Sequence, residues 1–337
     1  PIIVVRHAMD GDYVLINRQP TLHRVSILAM KCKILPNQKT IRMHYSNCAS
    51  FNADFDGDEI NLHLPQTELG RSEAKNLALS SIHYVTPTAG TPIRGLIQDH
   101  VDSGAWLTLK NKFFTKAQYE QLVYAAFSNE PDTKIVMLHP AMVYPYQLWT
   151  GKQVISTLLV NLTKDKEPLE MTSNSKFTKK ILENCPEEAI VYVSDSELIH
   201  GIIDKAQYGA STYGLVHSLF ELYGSDLANR FLTMLTRLFT FYMQTHGHTC
   251  GIDDMVITED AEIERLEKTQ EMIEKAEEAA EKFVDEFGVE STKDLPLKQR
   301  LMDIINKPGI KDRFDMSQKN TINPLASAII KYVFPSK

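Results

Sequence analysis

Four carboxylates crowd into six positions of this 337-residue chain: Asp54, Asp56, Asp58 and Glu59, in the stretch FNADFDGDEI at 51–60. Three of them alternate, and Gly57 separates the last two. In an extended or looped segment, side chains at i, i+2 and i+4 point to one side. On a helix, i and i+2 would diverge. Gly57 argues for a loop, because it permits backbone conformations that other residues avoid. Three anions held together repel one another, and their pKa values rise unless a cation compensates. A tight set of hard oxygen donors suits Mg²⁺. The spacing alone equally fits an exposed acidic turn with no metal. It does not fit an EF-hand loop, which wants Gly at its sixth position and Glu at its twelfth. Counted from Asp54, the glycine is fourth and the twelfth residue is Pro65.

The elements that must position this loop are strands. Tyr13-Val14-Leu15-Ile16 and Ile60–Leu64 have strand content, the second with period-2 alternation. Turns fall at Asn17–Pro20, Pro36-Asn37 and Gly57. After about residue 67 the pattern becomes helical. Helices are predicted over Arg71–Ser80 and over Ile93–Lys110, where Ile93, Ile97, Val101, Ala105 and Leu109 share helical spacing. Thr115 with Gln118, and Thr150 with Gln153, fit capping boxes. Ala189–Val193 reads as a short strand. Leu227, Phe231, Leu235, Leu238 and Tyr242 form one helical stripe, with Ser225 as N-cap and Gly247 just past the end. Residues 259–287 read as a long charged helix with a thin seam of Ile263, Leu266, Ile273, Ala280, Phe283 and Phe287, one side packed and the rest solvated. Short helices with turns are expected over Ser291–Lys337.

Composition narrows the function. The chain is 43% hydrophobic and 23% charged, ordinary for a globular protein and long enough for two or more domains. Its net charge is −7, yet residues 259–286 alone hold twelve acidic and four basic residues. The rest of the chain is therefore close to neutral at +1, without the basic patch of a protein that grips nucleic acid unaided. Cys32, Cys48, Cys185 and Cys250 contain no CxxC pair, so no zinc site and no disulfide framework is expected, as suits a reducing compartment. The longest apolar stretch, Phe231–Met243, is short of a bilayer span and carries Arg237, so no membrane contact is expected. No signal-peptide pattern opens the chain, and its start at Pro1 followed by Ile2-Ile3-Val4-Val5 reads as an internal piece of a longer chain.

Two family resemblances follow from the acidic loop. DFDGD resembles the DxDGT motif of the haloacid-dehalogenase phosphatases, whose first Asp is a nucleophile, and GIDD at 251–254 mimics a later acidic pair. Against it, the preceding SNCASFNA is no buried apolar strand, and Asp58 replaces the threonine. The longer string NADFDGDEINLHLPQ, residues 52–66, closely resembles the signature of the largest subunit of multi-subunit RNA polymerases. LINRQPTLHR (15–24), TPIRGLIQD (91–99), LWTGKQ (148–153), YGLVHSLFELYG (213–224) and HGHTCGIDD (246–254) resemble further strings of that family, in its order. Among the eukaryotic enzymes, YGAS, TCGIDD and the Asn320–Pro335 tail resemble RNA polymerase I.

The polymerase resemblance implies an α+β fold. Residues 1–90 would be the later part of a double-psi β-barrel active-site domain, N-terminally incomplete. A mainly helical pore region (91–200) and funnel helices (201–290) would follow, with 291–337 leading toward a bridge-helix region. It implies that Asp54, Asp56 and Asp58 hold the catalytic Mg²⁺ of nucleotidyl transfer, a second metal arriving with the nucleoside triphosphate. Asn52 would stand near the ribose hydroxyls and Arg18 near the sugar and triphosphate. The implied partners are the second-largest subunit, smaller subunits, DNA template and RNA transcript, in the nucleus, with the nucleolus as the expected site. No side-chain nucleophile is required, so the histidines are expected to be structural, His63 packed among them. Gly151 and Lys152 lack a full phosphate-binding loop.

Overall fold

The computed structural model describes residues 5–177, 182, 185–287, 296, 297 and 299. The expected helices of Ser291–Lys337 lie outside the described residues, apart from those last three. The chain forms two compact units, residues 1–248 and 249–337; among the described residues the first mixes helix and strand and the second is helical.

In the first unit, β1 (Tyr13–Asn17) is the centre of an antiparallel sheet, flanked by β2 (Ile27–Lys31) and β3 (Asn61–His63). The register places Asn17 opposite both Ile27 and Asn61. Val14, Ile16, Leu28 and Phe51 form a small core beneath it, joined by Ile60 and Leu64. The strand predicted over Ile60–Leu64 thus shortens to its middle three residues. All three are exposed, His63 included, so this histidine is not packed as expected. The apolar ends of the alternation, Ile60 and Leu64, do the packing.

Helix α1 (Cys48–Phe51) is a single turn entering the acidic loop, and α2 (Glu68–Leu77) follows β3. The latter starts three residues before its predicted start at Arg71, because the Thr67 side chain accepts the Gly70 N–H and caps it there. A larger correction concerns Ile93–Lys110. The helix there, α3, covers only Asp99–Thr108. Residues 93–97 form no regular element, with the Ile93 N–H donated to Tyr84 O and the Leu96 N–H to Tyr208 O, and Gln98 turns the chain into α3 at φ 52°. Burial between neighbouring segments, rather than a helical face, makes this stretch apolar.

The main core is helical. It gathers α3, α4 (Lys116–Phe127), α5 (Gly151–Leu162), α7 (Leu215–Tyr223) and α8 (Ser225–His246). Both predicted capping boxes are present, at Thr115/Gln118 on α4 and Thr150/Gln153 on α5. The two-residue strands β4 (Phe113–Phe114) and β5 (Trp149–Thr150) pair just before them. Gly151 opens α5 because a Cβ there would lie 1.8 Å from Leu107 O. A second sheet, β6 (Met171–Asn174), β7 (Ile190–Ser194) and β8 (Glu197–His200), packs on this core through Val191, Val193 and Leu198. The turn α6 (Lys205–Tyr208) leads into α7. The whole predicted stripe of α8 is buried. Its N-cap is Gly224, one residue before the expected Ser225, and its C-cap is Gly247 at φ 70°.

In the second unit, α9 spans Glu259–Phe287. The apolar seam divides. Ile263, Leu266 and Ile273 are about half exposed, whereas Ala280 and Phe283 are buried, as is Val284 beside them; the Phe287 side chain lies outside the described residues.

Candidate metal centre

The acidic loop hangs between the end of α1 and β3. Asn52 ends the helix turn in the left-handed region, at φ 47° and ψ 44°, and its N–H returns to Cys48 O and Ala49 O. Asparagine tolerates that conformation better than most residues. The loop then passes Asp54, Phe55 and Asp56 and turns at Gly57, where φ is 120°. Nothing lies within 4 Å of a Cβ built on Gly57. The backbone conformation, not crowding, therefore demands glycine. The Asp54 N–H is donated to Asp58 Oδ2 at 3.2 Å and closes the loop on itself.

This fold brings carboxylate oxygens of Asp54, Asp56 and Asp58 within 4.8 Å of one another. Asp54 and Asp56 are exposed, and Asp58 is half-buried. The neighbouring Asp56 carboxylate raises the Asp54 pKa above the usual range, with lesser contributions from burial and Asp58. Asp58 moves the other way. Arg18, the residue after β1, grips it with Nε to Oδ2 at 2.7 Å and Nη2 to Oδ1 at 3.1 Å. That guanidinium is the main cause holding Asp58 low. Three carboxylates thus meet one built-in cation. The remaining charge is close to −2, which a divalent ion would balance. The donors are all hard oxygens, so the set fits Mg²⁺ rather than a soft metal.

The structure therefore brings together Arg18 and the three aspartates expected from sequence, with Asn52 exposed at the loop's entry. Sequence reasoning missed the Arg18–Asp58 pair, whose members are 40 residues apart. The one available signal was the need of a crowded acidic loop for a counter-charge. It also missed Tyr45, whose ring meets Phe55 edge-on at 5.4 Å. Lys152 is buried and ion-paired with Glu188, a structural role consistent with its incomplete phosphate-loop motif.

Comparison with known proteins sets this geometry in a family. Residues 83–255 match the model for RNA polymerase Rpb1, domain 3, and residues 1–80 match that for RNA polymerase Rpb1, domain 2. The chain is 44% identical to DNA-directed RNA polymerase I subunit RPA190 of Saccharomyces cerevisiae, over 95% of its own length and 20% of the relative's. It is 43% identical to DNA-directed RNA polymerase I subunit rpa1 of Schizosaccharomyces pombe, over 98% of its length and 20% of the relative's. For the Dictyostelium discoideum subunit of the same name the values are 39%, 98% and 21%. The chain thus spans about a fifth of these relatives. None of these findings supports the phosphatase resemblance.

Proposed function

This chain belongs to the RNA polymerase Rpb1 family, and from that premise we propose that it is a catalytic-core segment of the largest subunit of RNA polymerase I. The carrying observation is the convergence of Asp54, Asp56 and Asp58 within a chain of this family. Polymerase I is favoured over its paralogues because the relatives named above are all polymerase I subunits. The three-stranded sheet and acidic loop would form the later part of a double-psi β-barrel, within residues 1–90. Residues 91–200 would form the pore region and 201–290 the funnel helices.

In this reading the three aspartates hold the catalytic Mg²⁺. Bound there, the ion would lower the pKa of the attacking RNA 3′ hydroxyl, and a second ion arriving with the nucleoside triphosphate would offset the charge of the leaving pyrophosphate. The chain's own residues prepare that site. Gly57 and the closing Asp54 N–H contact bring the carboxylates toward one another. Arg18 keeps Asp58 ionised and spends only part of its five-donor fork on it. A nucleotide seated against the loop meets that guanidinium at its sugar and triphosphate. Asn52 offers an amide that both donates to and accepts from a ribose 2′-OH, the group that separates RNA precursors from DNA precursors.

Activity requires the assembled enzyme: the second-largest and smaller subunits, DNA template and RNA transcript, in the nucleus and specifically the nucleolus. Among the described residues no helix is long and apolar enough to cross a membrane. The test is RNA extension on a primed template by assembled polymerase carrying Asp56→Ala. Extension falls by more than about a hundredfold, with subunit composition unchanged, if the loop holds the catalytic ion. Retained extension overturns the reading. The phosphatase alternative would instead show aryl phosphate hydrolysis by the isolated chain.

A further inference from the structure

Arg94 is buried to 4% exposure, and among the described residues its hydrogen-bond partners are neutral. One nitrogen, Nη2, donates to Ser46 Oγ at 3.1 Å and to Asn229 Oδ1 at 3.0 Å, while Nε finds no acceptor. An unpaired buried guanidinium is a costly way to fill space, since an apolar side chain of similar volume would pack at lower cost. Its two acceptors belong to different parts of the fold. Asn229 is on α8, in the helical core. Ser46 is in the Tyr45–Asn47 turn that runs directly into α1 and the acidic loop.

That turn is held by a chain of polar contacts. The Ser46 N–H is donated to His44 Nδ1 at 3.2 Å, and the Ser46 hydroxyl lies 2.8 Å from the same nitrogen. With Arg94 donating to it, the hydroxyl is free to donate its own hydrogen to His44. Burial, helped by the nearby Arg94 and His100, pushes His44 down to about 4, so its Nδ1 remains an acceptor near neutral pH. The next residue carries the turn's position outward. Tyr45 stands edge-on to His100 at 4.9 Å and to Phe55 at 5.4 Å. Phe55 sits in the chain between Asp54 and Asp56. The loop thus has two anchors on the body of the unit: Arg18 at Asp58 and Tyr45 at Phe55.

We propose that Arg94 is a positioning residue for the aspartate loop, fixing the Tyr45–Asn47 turn against α8 and thereby the placement of Asp54 and Asp56. This inference rests on the metal-binding reading above. It assigns Arg94 no contact with metal or substrate.

The test is Mn²⁺ binding to the assembled polymerase, without nucleotide or nucleic acid, followed by electron paramagnetic resonance. The component that disappears in Asp56→Ala defines the loop's ion. Arg94→Met weakens that component about threefold to tenfold, less than the worth of one hydrogen bond from a charged donor, because the contact reaches the loop only through the turn. Arg94→Lys, which keeps one charged nitrogen able to serve both acceptors, recovers at least half of the loss. Asn229→Ala, which removes one acceptor from a half-buried helix position, weakens it about twofold to threefold and decides the matter if Arg94→Met fails to assemble. A lowered melting temperature with an unshifted Mn²⁺ midpoint means a purely structural role and overturns the proposal. If Asp56→Ala removes no Mn²⁺ component, the metal reading itself fails, independently of Arg94.

Discussion

The molecule holds acidic side chains in two opposite ways. Glu188 is buried and meets one lysine, Lys152 of α5, so the charges cancel inside the core. Asp54 and Asp56 are exposed and Asp58 half-buried; the three converge within 4.8 Å, and one arginine, Arg18, pairs with Asp58. The first arrangement is complete. The second remains short of positive charge, in a loop whose backbone uses left-handed conformations at Asn52 and Gly57. The difference teaches that the loop's geometry is maintained against electrostatic repulsion. The helical core and the β1–β3 sheet supply the rigidity that makes this tenable.

The complete pair is the one whose disruption costs most. Lys152→Met strands a buried carboxylate and destabilises the chain by about 3–5 kcal/mol in urea unfolding. Adding Glu188→Leu restores most of that loss, because replacing both charges removes the stranded one. If the single variant were as stable as the parent, the contrast between closed and open charge sets would collapse.

The next effect is a pH dependence at the boundary of the two regions. The folded pKa of His44 is about 4, below its ordinary value of 6.5, with Arg94 and His100 as its charged or titratable neighbours. Between these values the unfolded chain binds more protons, so the contribution is present above pH 6.5 and lost as pH falls toward 4. The loss amounts to about 3 kcal/mol. His44→Asn keeps an acceptor for the Ser46 N–H without titrating. The difference between its pH–stability curve and the parent's isolates the histidine, and parallel curves would refute the assignment.

Smaller still is Gly57→Ala. Strain at φ 120° costs about 1–2 kcal/mol in an exposed loop with open space around the new methyl group. It sharpens the comparison because its larger consequence is functional: a several-fold weaker ion with the core intact. The smallest effect is Arg230→Gln. It removes the exposed pair in which Arg230 holds Glu130 below its usual range, and costs less than about 1 kcal/mol above pH 5. Because the folded pKa of Glu130 is depressed, that contribution disappears as pH falls through it. Urea titrations at pH 7 and at successively lower pH show the cost and then its disappearance.

Legibility in the sequence follows the same division. The capping boxes of α4 and α5 and the stripe of α8 were readable, because local hydrogen bonds and helical period determine them. The segment 93–98 was not, since its backbone bonds to Tyr84 and Tyr208, partners that no helical spacing signals. The seam of α9 was legible as spacing, but not its division into an exposed first half and a buried second half. In the loop, spacing exposed the carboxylates and Gly57 the turn. The need for a counter-charge was legible, but not its supply by Arg18, nor the Tyr45–Phe55 and Arg94–Ser46 contacts, because each is a tertiary contact that no periodicity encodes.

The central claim is that the acidic loop is completed by one divalent cation. The most direct measurement is the number of tightly bound Mn²⁺ ions in assembled polymerase, compared with the variant carrying Asp54→Asn, Asp56→Asn and Asp58→Asn together. The account predicts that the variant assembles normally, binds one ion fewer and loses RNA extension. Equal Mn²⁺ counts in the two enzymes would contradict it.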